Sequence, residues 1–542
     1  MDSRSGLIVV QIDGMSGSAL DDLLSSGHMP TLHRLISSGE LSLDRWVPLL
    51  PPCTPASQAG ILHGRNPGIP GFRWYEKETD RLFVANHAKD AAEIEHRLSD
   101  GDGILSEMGV SVGNLLAGDA AFSHLTMATI QGRDDAPGPD EHGTYPIDPI
   151  IYMRIVIGMI RELLDEIRQA RRQRSNDVQP RMPRGWRYAL ERCVTNVPLR
   201  ILSTAVVIHE MKRGRPLIYV DYTGYDEISH HAGPGRPDAY GAAEKIDRSI
   251  ADILNVARHA ERHYQLVVLS DHGQALGPTF RQRYGVTLVR LIAKLTGGGM
   301  PLDGATQPAE YTDGFERIRY HVLGPRLASV VGGLLERRAG RTHQRASRLA
   351  DSRGAPVAAP TDAQVANVVV CASGNLGLVY FTAVRERMTR EDIEDQFPGL
   401  IQELIDHPGI GVVVVRSAEG LVAIGDVGTN FLDDGRVTGT DPLAIYGPHA
   451  AEGLRGVAAF ENSGDMIVIS PYDATTEQVV SFEELVGSHG GLGGPQNDAF
   501  IAYPASWRME PKPLVGAPAV NAQLRRWLSE AGAGPAVTSP GQ

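Results

Sequence analysis

The sequence predicts an α/β protein built on a mostly parallel sheet with helices on both faces. Three runs are almost entirely apolar, at residues 7–12 (where Gln11 is the one polar residue), 217–220 and 266–269, and each leads into acidic or imidazole side chains. Uninterrupted apolar runs are typical of parallel strands that are buried on both faces. Open parallel sheets bind ligands at the carboxyl ends of their strands. We therefore expect the polar residues that follow the three runs to meet in one crevice.

The predicted core is interrupted by two insertions. Strand and helix patterns alternate in three separated stretches, and the third of these carries His489. A Gly-, Ala- and Pro-rich stretch at the carboxyl end is typical of disorder. The predicted units are the core at 1–146 with the first metal ligand and the nucleophile, a helical basic insertion at 147–214, the core at 215–275 with further metal ligands, a cap-like α+β insertion at 276–480, the core at 481–530, and a disordered tail at 531–542.

The insertion at 147–214 combines apolar helical stretches with many arginines. Residues 150–164 are mainly apolar, and a run of arginines that includes Arg168, Arg171 and Arg172 follows. One interpretation is a helical hairpin that packs on the core and has a solvated basic edge. The other is an element that rests on an anionic membrane surface. The sequence thus allows peripheral membrane contact through this insertion.

Composition excludes several classes of protein. The chain has 542 residues and a formal net charge of −13, which argues against binding to a nucleic-acid duplex. Its 3 cysteines have no framework spacing, so we expect free thiols. Neither a signal peptide nor a membrane span is recognisable. We expect a cytoplasmic or membrane-associated protein, unless an export or membrane segment is missing from this chain, and the sequence leaves the compartment and the oligomeric state open.

The residues that follow the strands form a scattered set of metal ligands. Asp226 and His230 are four positions apart, a spacing that lets a carboxylate and an imidazole reach one ion. His231 could replace His230 in this role, and Asp221 could replace Asp226. The full set, which would hold two divalent cations, is Asp13, Thr54, Asp226, His230, Asp271, His272 and His489.

Thr54 has two interpretations. It lies at the predicted start of a helix, where a hydroxyl commonly caps the backbone. It could also be a nucleophile, because a metal lowers the pKa of a coordinated oxygen and a helix amino terminus favours a nearby phosphate. The segment Cys53-Thr54-Pro55-Ala56-Ser57 is similar to a sulfatase signature. However, Ser57 replaces the Arg that this signature requires, and Thr54 rather than Cys53 occupies the nucleophile position.

Taken in order, these residues resemble the alkaline phosphatase superfamily and, within it, the type I phosphodiesterase/nucleotide pyrophosphatase family. The matching segments are Ile12-Asp13-Gly14, residues 54–64 with Asn66-Pro67-Gly68, residues 226–234, residues 270–273 and residues 488–490. The resemblance implies an alkaline-phosphatase-like fold and two metal ions, zinc first and manganese or iron as alternatives. It places Asp13, Asp271, His272 and the Thr54 oxygen at one ion, and Asp226, His230 and His489 at the other. It also implies hydrolysis through a covalent phosphothreonine.

Departures from the family pattern leave the substrate class open. Ser57, with Gln58 beside it, stands where many family diesterases have an asparagine that holds the phosphoryl oxygen. Trp74 and Tyr75 follow the nucleophile helix and either stack on a base or sugar or pack in the core. A phosphodiesterase or nucleotide pyrophosphatase acting on a small-molecule or lipid phosphoester is the first hypothesis. The alternatives are a phosphomonoesterase or phosphonate hydrolase, a phospho-group transferase on lipid or glycan, and a metal-binding protein without activity.

Overall fold

The computed structural model describes residues 5–130, 149–297, 302–303, 367–510 and 512–530. The predicted tail at 531–542 lies outside these residues, as does the part of the predicted cap-like insertion at 304–366.

The described strands divide into those before and those after residue 300. The first group comprises β1 (Gly6–Ile12), β2 (Leu41–Val47), β3 (Arg73–Glu76), β4 (Arg81–Val84), β5 (Val110–Val112), β6 (Phe122–His124), β7 (Leu217–Tyr222), β8 (Tyr264–Leu269) and β9 (Ala275–Leu276). The second group comprises β10 (Leu302–Asp303), β11 (Val368–Ser373), β12 (Leu376–Phe381), β13 (Val412–Ser417), β14 (Gly420–Gly425), β15 (Gly428–Phe431), β16 (Arg436–Gly439), β17 (Met466–Ile469), β18 (Tyr472–Asp473), β19 (Gln478–Val479), β20 (Gly487–Ser488), β21 (Ala499–Pro504) and β22 (Leu514–Val515).

The described helices are distributed along the whole chain. They are α1 (Gly17–Ser25), α2 (Pro30–Ser37), α3 (Thr54–His63), α4 (Ala88–Leu98), α5 (Pro149–Ser175), α6 (Trp186–Val194), α7 (Arg200–Lys212), α8 (Gly224–Ala232), α9 (Pro237–Ala257), α10 (Phe280–Tyr284), α11 (Leu288–Leu295), α12 (Arg390–Gln396), α13 (Leu400–Ile405), α14 (Ala450–Ala459) and α15 (Ala517–Glu530). A π-helical turn, Thr195–Leu199, links α6 to α7. None of the described helices has the length and hydropathy that a membrane span requires.

The central sheet has the strand order β22-β2-β21-β8-β1-β7-β5-β6. Strand β1 is parallel to both of its neighbours, β7 and β8, and β5 is parallel to β7 and to β6. Only β21 runs antiparallel within this sheet, between β2 and β8. The predicted mostly parallel sheet is therefore confirmed.

Alternate residues of β1 face two different cores. Leu7 and Val9 pack on the side of α3, α4 and α15, whereas Ile8, Val10 and Ile12 pack on the side of α1, α2, α7 and α9. Side chains alternate across a strand, so a strand covered on both faces is mainly apolar; the exception in β1 is Gln11, whose Oε1 accepts from the Tyr219 hydroxyl at 2.8 Å. This explains the nearly continuous apolar run and confirms that helices cover both faces of the sheet.

A second sheet has the order β10-β11-β12-β17-β13-β14-β15-β16 and is antiparallel except for the β10–β11 pair. One of its faces, with Leu378 and Ile467, belongs to the same core as Leu7 and Val9 of the central sheet. Its other face packs on α11, α12 and α13. The second sheet is thus joined to the central one by a continuous apolar core.

Candidate metal centre and nucleophile

The candidate ligands come from three neighbouring strands of the central sheet. Asp13 follows β1, Asp271 and His272 follow β8, and β7 leads into α8, which carries Asp226 and His230. Because β1 lies between β7 and β8 and is parallel to both, their carboxyl ends meet at one edge.

The first group of ligand atoms surrounds His272. One ligand atom from each of Asp13, Asp271 and His272 lies within 4.8 Å of the others, and all three residues are buried. His272 Nε2 is 3.5 Å from Asp13 Oδ1 and 3.4 Å from Asp271 Oδ2. Thr54 Oγ1 lies 3.2 Å from Asp13 Oδ1 and 3.2 Å from His272 Nε2. These four residues are the ones that the resemblance assigns to one ion.

The second group lies beside the first. Ligand atoms of Asp226, His272 and His489 are within 4.8 Å of one another. His230 Nε2 is 2.9 Å from Asp226 Oδ2, and His489 Nε2 is 3.8 Å from Asp226 Oδ1. His272 therefore takes part in both groups, a sharing that the sequence did not indicate.

Backbone carbonyls orient the three imidazoles. Because a carbonyl can only accept a hydrogen bond, each Nδ1 carries a proton, and a metal would bind at Nε2. Such partners fix the ligand tautomer at metal sites. The Nδ1–carbonyl distances are 2.7 Å from His230 to Gly487, 3.1 Å from His272 to Gly273 and 3.1 Å from His489 to Pro52.

The electrostatics of the groups fit divalent cations. Burial raises the pKa of Asp271, and the nearby charge of Asp226 raises it further. Burial lowers the pKa of His489 well below its usual range, which keeps that imidazole neutral. Asp271 Oδ2 is buried, and within the described residues no hydrogen-bond donor reaches it. Imidazole nitrogens and an unsatisfied buried carboxylate oxygen form a donor set that is compatible with zinc.

Asp226 behaves differently from Asp271. Burial alone would raise its pKa, but the charge of His230 and its hydrogen bond hold the pKa well below its usual range. Gln274 Nε2 donates to Asp226 Oδ1, and also to the Asp226 carbonyl at 3.0 Å. Asp226 is thus held as a carboxylate that faces the second group.

Thr54 is the first residue of α3, and Cys53 before it is extended, with φ −148°. No side chain caps this helix amino terminus, and the Thr54 hydroxyl is turned toward Asp13 and His272. The cap interpretation therefore does not describe this hydroxyl. A nucleophile here would sit at the positive end of a helix, where an anionic phosphoryl group is favoured.

Ser57 and Gln58 lie one turn into α3. Ser57 Oγ donates to the Asp271 carbonyl at 3.0 Å, and the residue also lines a cleft of about 220 Å³ beside α14. Gln58 Nε2 donates to Asp221 Oδ2 at 2.9 Å, and its Oε1 accepts from two backbone amides of the loop after β5. These contacts give Gln58 a structural role and engage Asp221 away from the ligand groups.

Trp74 and Tyr75 lie in β3. Trp74 is buried, stacks on Phe83 at 5.1 Å and donates from Nε1 to Glu76 Oε1 at 3.2 Å. Tyr75 lines a cavity of about 320 Å³ between β3 and the second sheet and donates to Asp80. Trp74 therefore packs in the core, whereas Tyr75 is a candidate for contact with a ligand.

Two residues near the groups were missed by the sequence reasoning. Gln274, which holds Asp226, stands two positions after His272, and its place directly behind a strand end was the available signal. Gly374, in the turn between β11 and β12, has φ +57°, and a Cβ there would lie 1.9 Å from the His489 carbonyl. Only glycine fits this approach, and nothing in the local sequence marks it.

The fold and the clustered carboxylates and imidazoles define a class, the metal-dependent hydrolases of phosphoester bonds. The sequence model of the type I phosphodiesterase/nucleotide pyrophosphatase family matches residues 7–324, more than half of the chain. The chain belongs to this family and is a hydrolase that acts on phosphoester bonds.

Comparison with solved structures finds similar chains at low identity. One is phosphonoacetate hydrolase from Sinorhizobium meliloti 1021 in complex with phosphonoformate, at 17% identity and TM-score 0.44, covering 96% of this chain and 95% of that chain. Another is murine ectonucleotide pyrophosphatase/phosphodiesterase 5, at 12% identity and TM-score 0.46, covering 97% of this chain and 95% of that chain. No curated protein sequence matches the chain.

Proposed function

We propose that this chain is a two-metal phosphodiesterase or nucleotide pyrophosphatase that acts through a covalent phosphothreonine on Thr54. The observation that carries the proposal is the position of Thr54 Oγ1, at the amino terminus of α3 and 3.2 Å from both Asp13 Oδ1 and His272 Nε2. A buried hydroxyl in contact with a carboxylate and an imidazole is placed to lose its proton and attack.

The residues fall into two ligand sets in this proposal. Asp13, Asp271, His272 and Thr54 would hold one ion, and Asp226, His230 and His489 would hold the other, with His272 between the two. When bound, divalent ions lower the pKa of the threonine hydroxyl and offset charge on the phosphoryl oxygens. Zinc is the metal that we propose, with manganese and iron as alternatives.

The chain's own residues would divide the reaction as follows. Thr54 Oγ1 loses its proton and attacks phosphorus, so that an Oγ1–P bond forms while the bond to the leaving oxygen breaks. The leaving oxygen departs on the side opposite to Thr54, as in-line displacement requires. Water then attacks phosphorus, breaks the Oγ1–P bond and restores Thr54 with release of the product phosphate ester.

The amino terminus of α3 supports both halves of this reaction. The positive end of this helix would favour negative charge on a phosphoryl group bound beside Thr54. Asp13, Asp271 and His272 are buried, and electrostatic interactions are stronger in such surroundings than in water.

The proposal is tested by hydrolysis of bis(p-nitrophenyl) phosphate and p-nitrophenyl phosphate, side by side, with metal-loaded protein. We expect preference for the diester, loss of turnover in Thr54→Ala and loss with chelator. Acid quenching during turnover followed by peptide mass spectrometry should find one phosphoryl group on Thr54.

Preference for the monoester would move the assignment to a phosphomonoesterase. Turnover of neither compound, with two metals bound, would contradict the general diesterase proposal and direct the search to phosphonates or lipids. Metal content without any hydrolytic activity on these classes would favour a binding protein.

A further inference from the structure

Helix α5 exposes most of its large apolar residues, although Ile151 and Ile155 pack against a small apolar cluster of the core. The residues that it buries are Glu162, Glu166, Ala170 and Gln173. The side chains that it exposes include nine large apolar residues, each 37–59% exposed. They are Ile150, Tyr152, Met153, Val156, Ile157, Ile160, Leu163, Leu164 and Ile167. A surface helix normally turns its apolar stripe toward the core. Packing on the core therefore does not account for this exposed apolar face.

The buried side of α5 is fixed by polar contacts. Arg192 of α6 donates from Nε to Glu162 Oε1 at 2.7 Å and from Nη1 to Glu166 Oε2 at 2.5 Å. Lys245 of α9 also pairs with Glu162. Gln173 Nε2 donates to the Ala232 carbonyl at the end of α8, at 3.2 Å. Because these contacts hold α5 in place, the exposed face is presented in a fixed orientation.

The exposed apolar residues form one broad face. At 100° per residue they fall within an arc of about 160° around the helix. Arg154, Arg161, Arg168 and Arg172 fall together along one edge of this arc. Helix α6, which packs on α5, adds Trp186, which is 74% exposed, and Leu190. Contiguous apolar surface of this kind marks an interaction site.

The arginines give the surface its charge preference. Arg161, Arg171 and Arg172 are exposed, and no carboxylate of the described chain lies within ion-pair distance of them. The whole protein carries a net charge of −13. These arginines beside the apolar face favour an anionic partner at this surface, and in a symmetric dimer through this face the same arginines would lie near one another and repel.

We infer that the exposed face of α5 binds an anionic lipid surface, with the helix lying parallel to that surface. An apolar face bordered by arginines and accompanied by an exposed tryptophan is the composition of helices that bind in the membrane interface. An arc of about 160° is broader than the two-position seam by which helices pair in coiled coils. The inference is independent of the reaction proposed for Thr54.

The test is flotation of the full chain with vesicles of phosphatidylcholine alone or with about one third phosphatidylglycerol. We expect binding to the anionic vesicles that weakens as salt rises. The variant Ile157→Ser/Ile160→Ser/Leu164→Ser should have an affinity for these vesicles that is lower by about tenfold or more. The matched control Val427→Ser/Ile445→Ser, which changes exposed apolar residues of the second sheet region, should bind as the wild type does.

Charge is tested separately. Arg161→Gln/Arg171→Gln/Arg172→Gln should lose most of the preference for phosphatidylglycerol, whereas Arg258→Gln/Arg290→Gln/Arg385→Gln, at exposed positions elsewhere, should keep it. Failure to bind either vesicle would overturn the inference, as would binding that the α5 variants leave unchanged. A dimer that the apolar variant dissociates would assign the face to a second copy instead.

Failure of this inference can be told apart from failure of the proposed reaction. The α5 variants should hydrolyse bis(p-nitrophenyl) phosphate in solution at the wild-type rate, because none of the changed residues belongs to the ligand groups. Thr54→Ala should bind vesicles as the wild type does. Loss of vesicle binding in Thr54→Ala would contradict the independence of the two sites and the docking role of α5.

Discussion

The imidazole rings of His272 and His489 stack, with centroids 4.0 Å apart and an interplanar angle of 28°. His272 follows β8 of the central sheet, whereas His489 follows the short strand β20 near the carboxyl end. Since His272 Nε2 also contacts the first ligand group, the stacked pair joins the two groups into one unit.

This sharing predicts unequal effects of two histidine substitutions. His230→Ala should reduce the bound metal from two ions to one, because His230 contacts only the second group. His272→Ala should lower the occupancy of both sites, and either variant should lose about a hundredfold or more in diesterase activity. Elemental analysis of reconstituted protein measures the stoichiometry. One full equivalent retained at high affinity in His272→Ala would show that His272 serves a single ion.

Substitutions of Thr54 separate nucleophilic chemistry from metal binding. Thr54→Ala should lose about a thousandfold or more in turnover, which corresponds to about 4 kcal/mol of transition-state stabilisation. Thr54→Ser keeps a hydroxyl and should retain measurable turnover and the covalent intermediate. Steady-state kinetics with circular dichroism as the folding control checks both. Equal activity of Thr54→Ala and the wild type would exclude Thr54 as the nucleophile.

Gln274 should act through Asp226. Gln274→Met keeps the side-chain volume but removes both hydrogen bonds to Asp226, so we expect metal affinity to fall about 10- to 100-fold. Gln274→Glu adds a negative charge beside that carboxylate and should perturb the site more. Competition with a chromophoric chelator measures the affinity. Unchanged affinity in both variants would show that Asp226 is positioned without Gln274.

The buried ion pair of Arg73 and Glu483 should be important for stability. Arg73 and Glu483 are almost completely buried, and Glu483 Oε2 also accepts from the Gly374 amide at 2.6 Å. Glu483→Ala would remove the carboxylate partner of a buried guanidinium, which would keep its hydrogen bond to the Ala372 carbonyl, so we expect a loss of about 3–5 kcal/mol in the free energy of unfolding. Glu419→Ala breaks an exposed pair with Arg436 and should cost less than about 1 kcal/mol. Urea denaturation compares the two, and similar losses would contradict the argument.

The thiol of Cys193 should resist alkylation in the folded protein. Burial, followed by the charge of Glu162, raises the pKa of Cys193 to about 11. A raised thiol pKa means that folding favours the neutral form, so this contribution to stability is present below the unfolded pKa and is lost as pH rises toward 11. Iodoacetamide at about pH 8 should modify Cys193 only after unfolding. Rapid labelling of the native protein would show that α6 separates from α5.

The sequence was informative about the candidate ligand residues that lie just after a strand. The mainly apolar runs of β1, β7 and β8 predicted a parallel sheet, and their carboxyl ends placed Asp13, Asp226 and Asp271 near one another. The assignment of individual residues to ions stays a prediction. His272 illustrates why, since it takes part in both ligand groups. Such sharing depends on the directions of side chains, and the periodicity of a strand does not predict these directions.

The sequence was less informative about contacts that cross between units. The roles of Gln58 and Gln274 depend on hydrogen bonds to residues far away in the chain, and polar side chains of this kind have no periodicity. The sequence left open whether α5 packs on the core or rests on a membrane surface, because its apolar spacing is compatible with both. Contacts of Glu162, Glu166 and Gln173 with residues distant in the chain fix which side faces inward.

The glycine turn between β11 and β12 limits how the second sheet can move. Gly374 lies against the His489 backbone, its carbonyl accepts from the Phe482 amide at 2.8 Å, and the Asn375 side chain donates to the Leu492 carbonyl at 3.0 Å. The second sheet is therefore tied to the segment that carries a proposed ligand, and it cannot swing open as a hinged lid without displacing His489. A hinge motion of the second sheet would therefore disturb the proposed ligand set itself, which couples the rigidity of this sheet to metal binding.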